Sequence, residues 1–149
     1  MATERVPASI DAGGDAAWTA ALTPVLQAAV ECRDGAEYLR QALAELAKRL
    51  APLGIEYLAV VSGREGRWRA LAESGSRTSL PHALLAHASE CDSPAHEKQW
   101  WAAPLKTRDS DEPELLCAAA ATPDARWPAE AASLAVALGS GLSAVRARA

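Results

Sequence analysis

The sequence predicts a single α+β domain built on a mostly antiparallel sheet. Three observations carry this. Apolar positions recur at helical spacing towards both ends of the chain. Between them lie short runs of alternating or wholly apolar β-formers. Those runs follow one another through short polar connections, which suit antiparallel neighbours. The 149 residues are enough for one hydrophobic core, and half are hydrophobic, which excludes disorder as the main state. Much of that half is alanine and Phe is absent, so the few large side chains, five Trp among them, carry most of the burial.

Residues 1–14 contain Pro7, Gly13 and Gly14 and no period, and read as a flexible leader before one domain over 15–149. Asp15 is placed to cap a first helix whose stripe is Leu22, Val25, Leu26, Ala29 and Val30. Asp34 caps a second helix, with Glu37 three residues on in the capping-box position. Leu39, Leu43, Leu46 and Leu50 form its apolar stripe, and Pro52 and Gly54 end it. The run 55–61 then reads as a strand covered on both faces. A turn over 62–66 leads into an alternating strand over 67–73, completing a hairpin. Leu80, Leu84, Leu85 and Ala88 predict a short helix with Ser79 as its cap and an end near Cys91. The stretch 92–98 reads as polar, 99–105 as a third strand with Pro104 at an edge or bulge, and 114–121 as a fourth. Trp127 and Pro128 open a last helix with the stripe Ala131, Leu134, Ala135, Leu138, Leu142 and Val145. Gly139 and Gly141 would let a neighbouring helix approach it closely.

Composition excludes several roles. The net charge is −4 and the Arg residues are spread along the chain, so no nucleic-acid partner is expected. Cys32, Cys91 and Cys117 form an odd set without close spacing, unlike a secreted disulfide framework. No signal peptide is read at the N-terminus. The longest apolar run, 115–121, is too short for a bilayer, so no membrane partner is expected and the cytoplasm is the default location.

The chemical candidates are weak beside their structural alternatives. His87 and Cys91 share a helix face, and with His96 they could offer three metal ligands only if the loop folded back. The favoured reading is exposed polar residues on a short helix, with no metal and no cofactor. Cys117 lies inside an apolar strand and reads as an inert core thiol. The acidic residues Asp109, Asp111, Glu112 and Glu114 read as a solvated hairpin tip. No catalytic residues are assigned, and the chain is expected not to be an enzyme. Trp100 and Trp101 should point to opposite faces of their strand.

The order of elements resembles a GAF domain, as do three local features. The second helix runs through Leu39–Leu50 into the strand Ile55–Val60. The stretch Trp100-Trp101-Ala102-Ala103-Pro104-Leu105 is similar to the family's strand ending in Pro-Leu. Trp127, Pro128 and Glu130 resemble the opening of its last helix. The resemblance covers roughly residues 17–147. It implies a GAF-like, profilin-like central antiparallel sheet of five or six strands. The N- and C-terminal helices would pack on one face, often mediating dimerisation, and a short helix on the other. In some members that second face binds cyclic nucleotides, tetrapyrroles or haem. Here the span 74–98, which builds the pocket lid in those members, is short, and neither an Asn-Lys-Phe-Asp-Glu pattern nor a bilin-attaching Cys-His pair is present.

The expectation is therefore a non-catalytic regulatory or signalling domain, a homodimer serving a partner or output domain. Any small-molecule sensing would be weak. The candidate interface is Leu22, Val25, Leu26, Leu134, Leu138, Leu142 and Val145, and the candidate ligand face is Trp68, His82, Leu85, Trp100 and Trp101. The alternatives are a roadblock-like or profilin-type interaction module, whose sheet would continue across the dimer, and a small thiol-dependent enzyme using Cys91.

Overall fold

A computed structural model describes residues 16–64, 66–75, 79–123 and 125–149. The leader expected over 1–14 and the cap expected at Asp15 lie outside the described residues. Helix α1 spans Leu22–Glu31, continuing helical turns at 16–20, and α2 spans Gly35–Leu50. Strands β1 (Ile55–Arg64) and β2 (Arg67–Ser74) follow, then α3 (His82–Cys91), β3 (Ala95–Glu97), β4 (Trp100–Pro104), β5 (Glu114–Ala120) and α4 (Ala129–Arg148).

The described strands form one sheet in the order β2-β1-β5-β4-β3, with every pairing antiparallel. Strand β5 sits at the centre and is buried along its whole length, as an apolar run flanked on both faces must be. On one face α1, α2 and α4 enclose a core that includes Val25, Leu43, Leu46, Leu58, Leu116 and Leu138. On the other, α3 covers a smaller cluster around Tyr57, Val61, Leu85 and Cys117. The expected α+β arrangement, with terminal helices on one face and a short helix on the other, is the one observed.

Local chemistry explains the element ends. The Asp34 side chain accepts from the Glu37 amide at 2.8 Å, and the Glu37 carboxylate accepts from the Arg33 amide at 2.9 Å. The cap is reciprocal, but it closes one residue earlier than the standard box. Helix α2 tightens into a 3-10 turn at Ala51–Leu53 and stops at Gly54, whose φ of 89° suits a residue without Cβ. Pro104 ends β4 beyond the reach of β3, whose pairing stops at Ala95 opposite Ala102. The Leu105 amide bonds Glu114 on the β5 side, so the missing N–H of Pro104 faces the uncovered side and costs no ladder bond.

Four expectations need correction. Residues 95–97, read as part of a polar stretch, form the edge strand β3. Ser79 does not cap α3, which begins at His82 with Pro81 at the capping position and no side-chain cap. The buried side of the first helical segment is Trp18, Ala21, Val25, Ala28 and Cys32, whereas Leu26 and Val30 are 59% and 78% exposed. Finally, α4 is not approached at Gly139 by a helix: a Cβ there would overlap the Leu105 carbonyl of the chain leaving β4. At Gly141 the close neighbours are the Tyr38 hydroxyl and Ala29.

Candidate functional site

Two surfaces were expected to carry function, and the fold separates them across the sheet. The candidate ligand face lies under α3. Trp68 on β2 and Leu85 on α3 are buried there, packed with Tyr57, Ala59, Val61, Leu115 and Cys117. Trp100 flanks this cluster and meets Tyr57 edge-on, with ring centroids 5.9 Å apart and planes at 78°. The Tyr57 hydroxyl donates to Glu73 at 2.6 Å. These side chains fill the face with protein, and burial alone pushes the Cys117 thiol up to about 12. The indole Nε1 of Trp68 is buried without a hydrogen-bond partner.

His82 and Trp101 do not join this group. His82 is exposed at the start of α3. Trp101 points through the sheet to the helical face, stacked on Trp127 at 5.6 Å and 14°, with Trp18 tilted 6.4 Å from each. The opposed directions of Trp100 and Trp101 follow from strand alternation. They leave Trp101 in the core rather than on the ligand face.

The second surface is formed by α1 and α4. Val25, Leu134, Leu138, Leu142 and Val145 of the expected interface are fully buried inside their own chain, where these stripes cover the sheet. Leu22 is half-buried. Leu26 remains exposed, and Val30, four residues on and so on the same side of α1, continues it. Ala29 is the α1 neighbour of Gly141, which orients this side of α1 towards α4. Arg148 of α4 donates to the Ala29 and Cys32 carbonyls at 2.6 and 2.9 Å, satisfying the free end of α1 and fixing the two helices together. Val30 is absent from the expected interface set, although its spacing from Leu26 is visible in the sequence.

The acidic hairpin between β4 and β5 is held rather than free. Glu114 is buried and receives two bonds from Arg146, at 2.9 and 2.7 Å, and one from Thr107 at 2.6 Å. Asp109 accepts from Ser143 at 3.0 Å and lies 3.5 Å from Arg146. The hydrogen bonds to Glu114 hold the Arg146 guanidinium above its ordinary value, against the opposing effect of burial. Glu112 accepts from Ser62 at 3.1 Å. An open cleft of about 310 Å³ separates this hairpin from the end of α3, and a more apolar groove of about 350 Å³ runs between α4 and β4, lined by Ala132, Val136, Pro104 and Lys106. His87 and Cys91 lie together on the exposed side of α3, whereas His96 sits on β3. Among the described residues no three His, Cys, Asp or Glu side chains form a metal-binding group, and no helix is long and apolar enough to cross a membrane.

An antiparallel sheet with terminal helices on one face and a single short helix on the other defines an α+β domain. The chain has the GAF-domain fold. It is similar over 91% of its length to a GAF sensor protein from Burkholderia vietnamiensis, covering 94% of that chain with a TM-score of 0.71 and 12% identity. It is also similar to the GAF domain of a phosphoenolpyruvate-protein phosphotransferase from Coxiella burnetii, with 89% and 96% coverage, a TM-score of 0.68 and 11% identity. The corresponding Acinetobacter domain gives 87% and 92% coverage, a TM-score of 0.64 and 13% identity. No family profile and no curated protein sequence matches the chain.

Proposed function

We propose that this chain is a non-catalytic regulatory domain that acts through its helical face, associating as a homodimer along the exposed ridge of α1 beside α4. The observation that carries the reading is the pair Leu26 and Val30, exposed one turn apart at 59% and 78%. Two large apolar side chains on one helical side lose water contact when a second helix covers them, at about 25 cal/mol per Å² removed. Ala137 is half-exposed and Ser140 and Ala144 are exposed on α4, small residues over which a partner helix can approach closely. The solved GAF domains it resembles support a regulatory or sensory role by analogy of fold. The domain would pass a signal to a partner or output domain. Three free thiols suit a reducing, cytoplasmic setting. Ligand sensing takes second place, because the face under α3 is occupied by the chain's own side chains.

Sedimentation velocity over a wide concentration range tests this reading. The chain should sediment as a dimer, and the double substitution Leu26→Glu, Val30→Glu should leave a folded monomer. A parent chain that stays monomeric at the highest concentration overturns it.

A further inference from the structure

Among the described residues no strand lies outside β2, although β2 is eight residues long. The backbone groups along that edge are free to pair with an extended segment. Strand alternation sets the chemistry of the edge. Trp68 is buried in the cluster under α3 and fixes this end of β2 to the sheet, so the edge is already ordered before anything binds. Arg67 and Arg69 therefore share the opposite side of the strand, and both are exposed. Arg69 meets Glu112 at 4.0 Å, with its own side chain 69% exposed. An ion pair that long and that open holds a guanidinium weakly. In register, Arg67 stands opposite Arg64 of β1. Like charges at directly opposite positions work against a hairpin, and an acidic neighbour beyond the edge would relieve them.

We infer that the Arg67–Ala70 stretch of β2 binds an extended acidic segment of a partner protein by strand addition, with carboxylates at alternate positions facing Arg67 and Arg69. An antiparallel strand continues the pattern of this sheet. Its alternate side chains stand on one side, about 5 Å from the residues opposite, so carboxylates two residues apart match the two guanidiniums. That match sets the register, while the backbone bonds supply affinity whatever the other side chains are. The strand itself limits the site. The register passes from Val60 opposite Ala72 to Val61 opposite Ala70, so a bulge at Leu71 ends the regular edge after Ala70. The same arginines repel a basic segment, which makes an open edge selective. The site makes no use of α1, so it stands independently of pairing through Leu26 and Val30.

The test titrates the full chain into a short dye-labelled peptide of alternating glutamate and valine and follows fluorescence anisotropy. A peptide with lysine in place of glutamate is the charge control. Two N-methylated forms, one for each set of alternate amides, are the backbone controls. The glutamate peptide should bind about tenfold more tightly than the lysine one. One N-methylated form should lose binding and the other keep it, because only one set of amides faces the edge. Arg67→Gln with Arg69→Gln should weaken the glutamate peptide by about tenfold while leaving the far-ultraviolet circular dichroism unaltered. Hydrogen exchange should show the amides of residues 67–70 protected by the peptide. Equal binding of the glutamate and lysine peptides, equal binding of the two N-methylated forms, undiminished binding to the glutamine variant, or protection on an element other than β2 would each overturn the site. A preference for anionic vesicles or a single-stranded oligonucleotide over the glutamate peptide would overturn it as well, by giving the arginines to another class of partner.

Discussion

The Tyr38 hydroxyl of α2 donates to the Leu138 carbonyl of α4 at 2.9 Å, inside the core and directly over Gly141. A phenol placed in the middle of an apolar core needs a partner, and burial raises its ionisation well above the ordinary tyrosine value. The bond therefore ties the second helix to the last one, and only a residue without Cβ leaves room for it.

Tyr38→Phe should cost about 1 kcal/mol, the usual net worth of one hydrogen bond. Gly141→Ala should cost more, because the new methyl overlaps the Tyr38 hydroxyl and crowds Ala29. The two costs should not add. In the Tyr38→Phe background the alanine loses its main obstacle, so urea unfolding of the four chains should show a coupling energy of the order of 1 kcal/mol.

Gly139→Ala should be worse than Gly54→Ala. At Gly139 the obstacle is the Leu105 backbone carbonyl, which cannot swing away as a side chain can. At Gly54 nothing lies within 4 Å of the added carbon, and the cost is the positive φ alone, about 1 kcal/mol. Comparable unfolding midpoints for the two variants would contradict the close approach of α4 to the end of β4.

Arg146→Met should destabilise by about 3 kcal/mol, by leaving the Glu114 carboxylate 5% exposed with Thr107 as its remaining side-chain donor. The figure is set at the lower end for a buried pair because the Arg146 side chain keeps 29% exposure. The double substitution Arg146→Met, Glu114→Leu should recover part of that loss, since no unpaired charge is left behind. Denaturant titration of the two variants checks the order.

Raising the pH above 9 should progressively destabilise the chain. Burial raises the Cys117 thiol from 9.0 to about 12, so the folded state keeps a proton that the unfolded state loses. The stability this represents is fully present below pH 9 and disappears as pH rises from 9 towards 12, at up to about 1.4 kcal/mol per pH unit. Cys117→Ala should lower that slope across the window from pH 9 towards 12, leaving the smaller slope that Cys32 and, above pH 10, Tyr38 contribute. At neutral pH a thiol reagent should label Cys91 rapidly and the buried Cys32 and Cys117 only on unfolding.

Much of the fold was legible because its signals are local. Asp34 and Glu37 mark a helix start within four residues, and the fully apolar run at 115–120 has no other home than a sheet interior. Strand β3 was not legible, because three residues cannot show a period; Ala95, His96 and Glu97 are a strand only by pairing with β4. The phase of α1 was misjudged by one position because alanine is apolar on every side of that helix. Ala21 and Ala28 turned out to be inside, and Leu26 and Val30 outside, a choice made by Trp18 and Val25 docking on the core. The burial of the α4 residues of the expected interface was not legible for a related reason. A stripe such as Leu134, Leu138 and Leu142 looks the same whether a second molecule or the chain's own sheet covers it. The same blindness applied to the far face, where the sequence could place Trp68 and Leu85 but not show that they fill the space between α3 and the sheet.

The three tryptophans at the foot of the helical face stand close enough to act as one chromophore. Trp18 belongs to the helical turns leading into α1, Trp101 to the sheet and Trp127 to the entry of α4, with centroid separations of 5.6 to 6.4 Å. Indoles so near exchange excitation and split their near-ultraviolet bands. The chain thus carries a built-in optical gauge at the joint where both terminal helices meet the sheet. Anything that pries either helix from that joint announces itself in the emission and dichroism of the unlabelled protein.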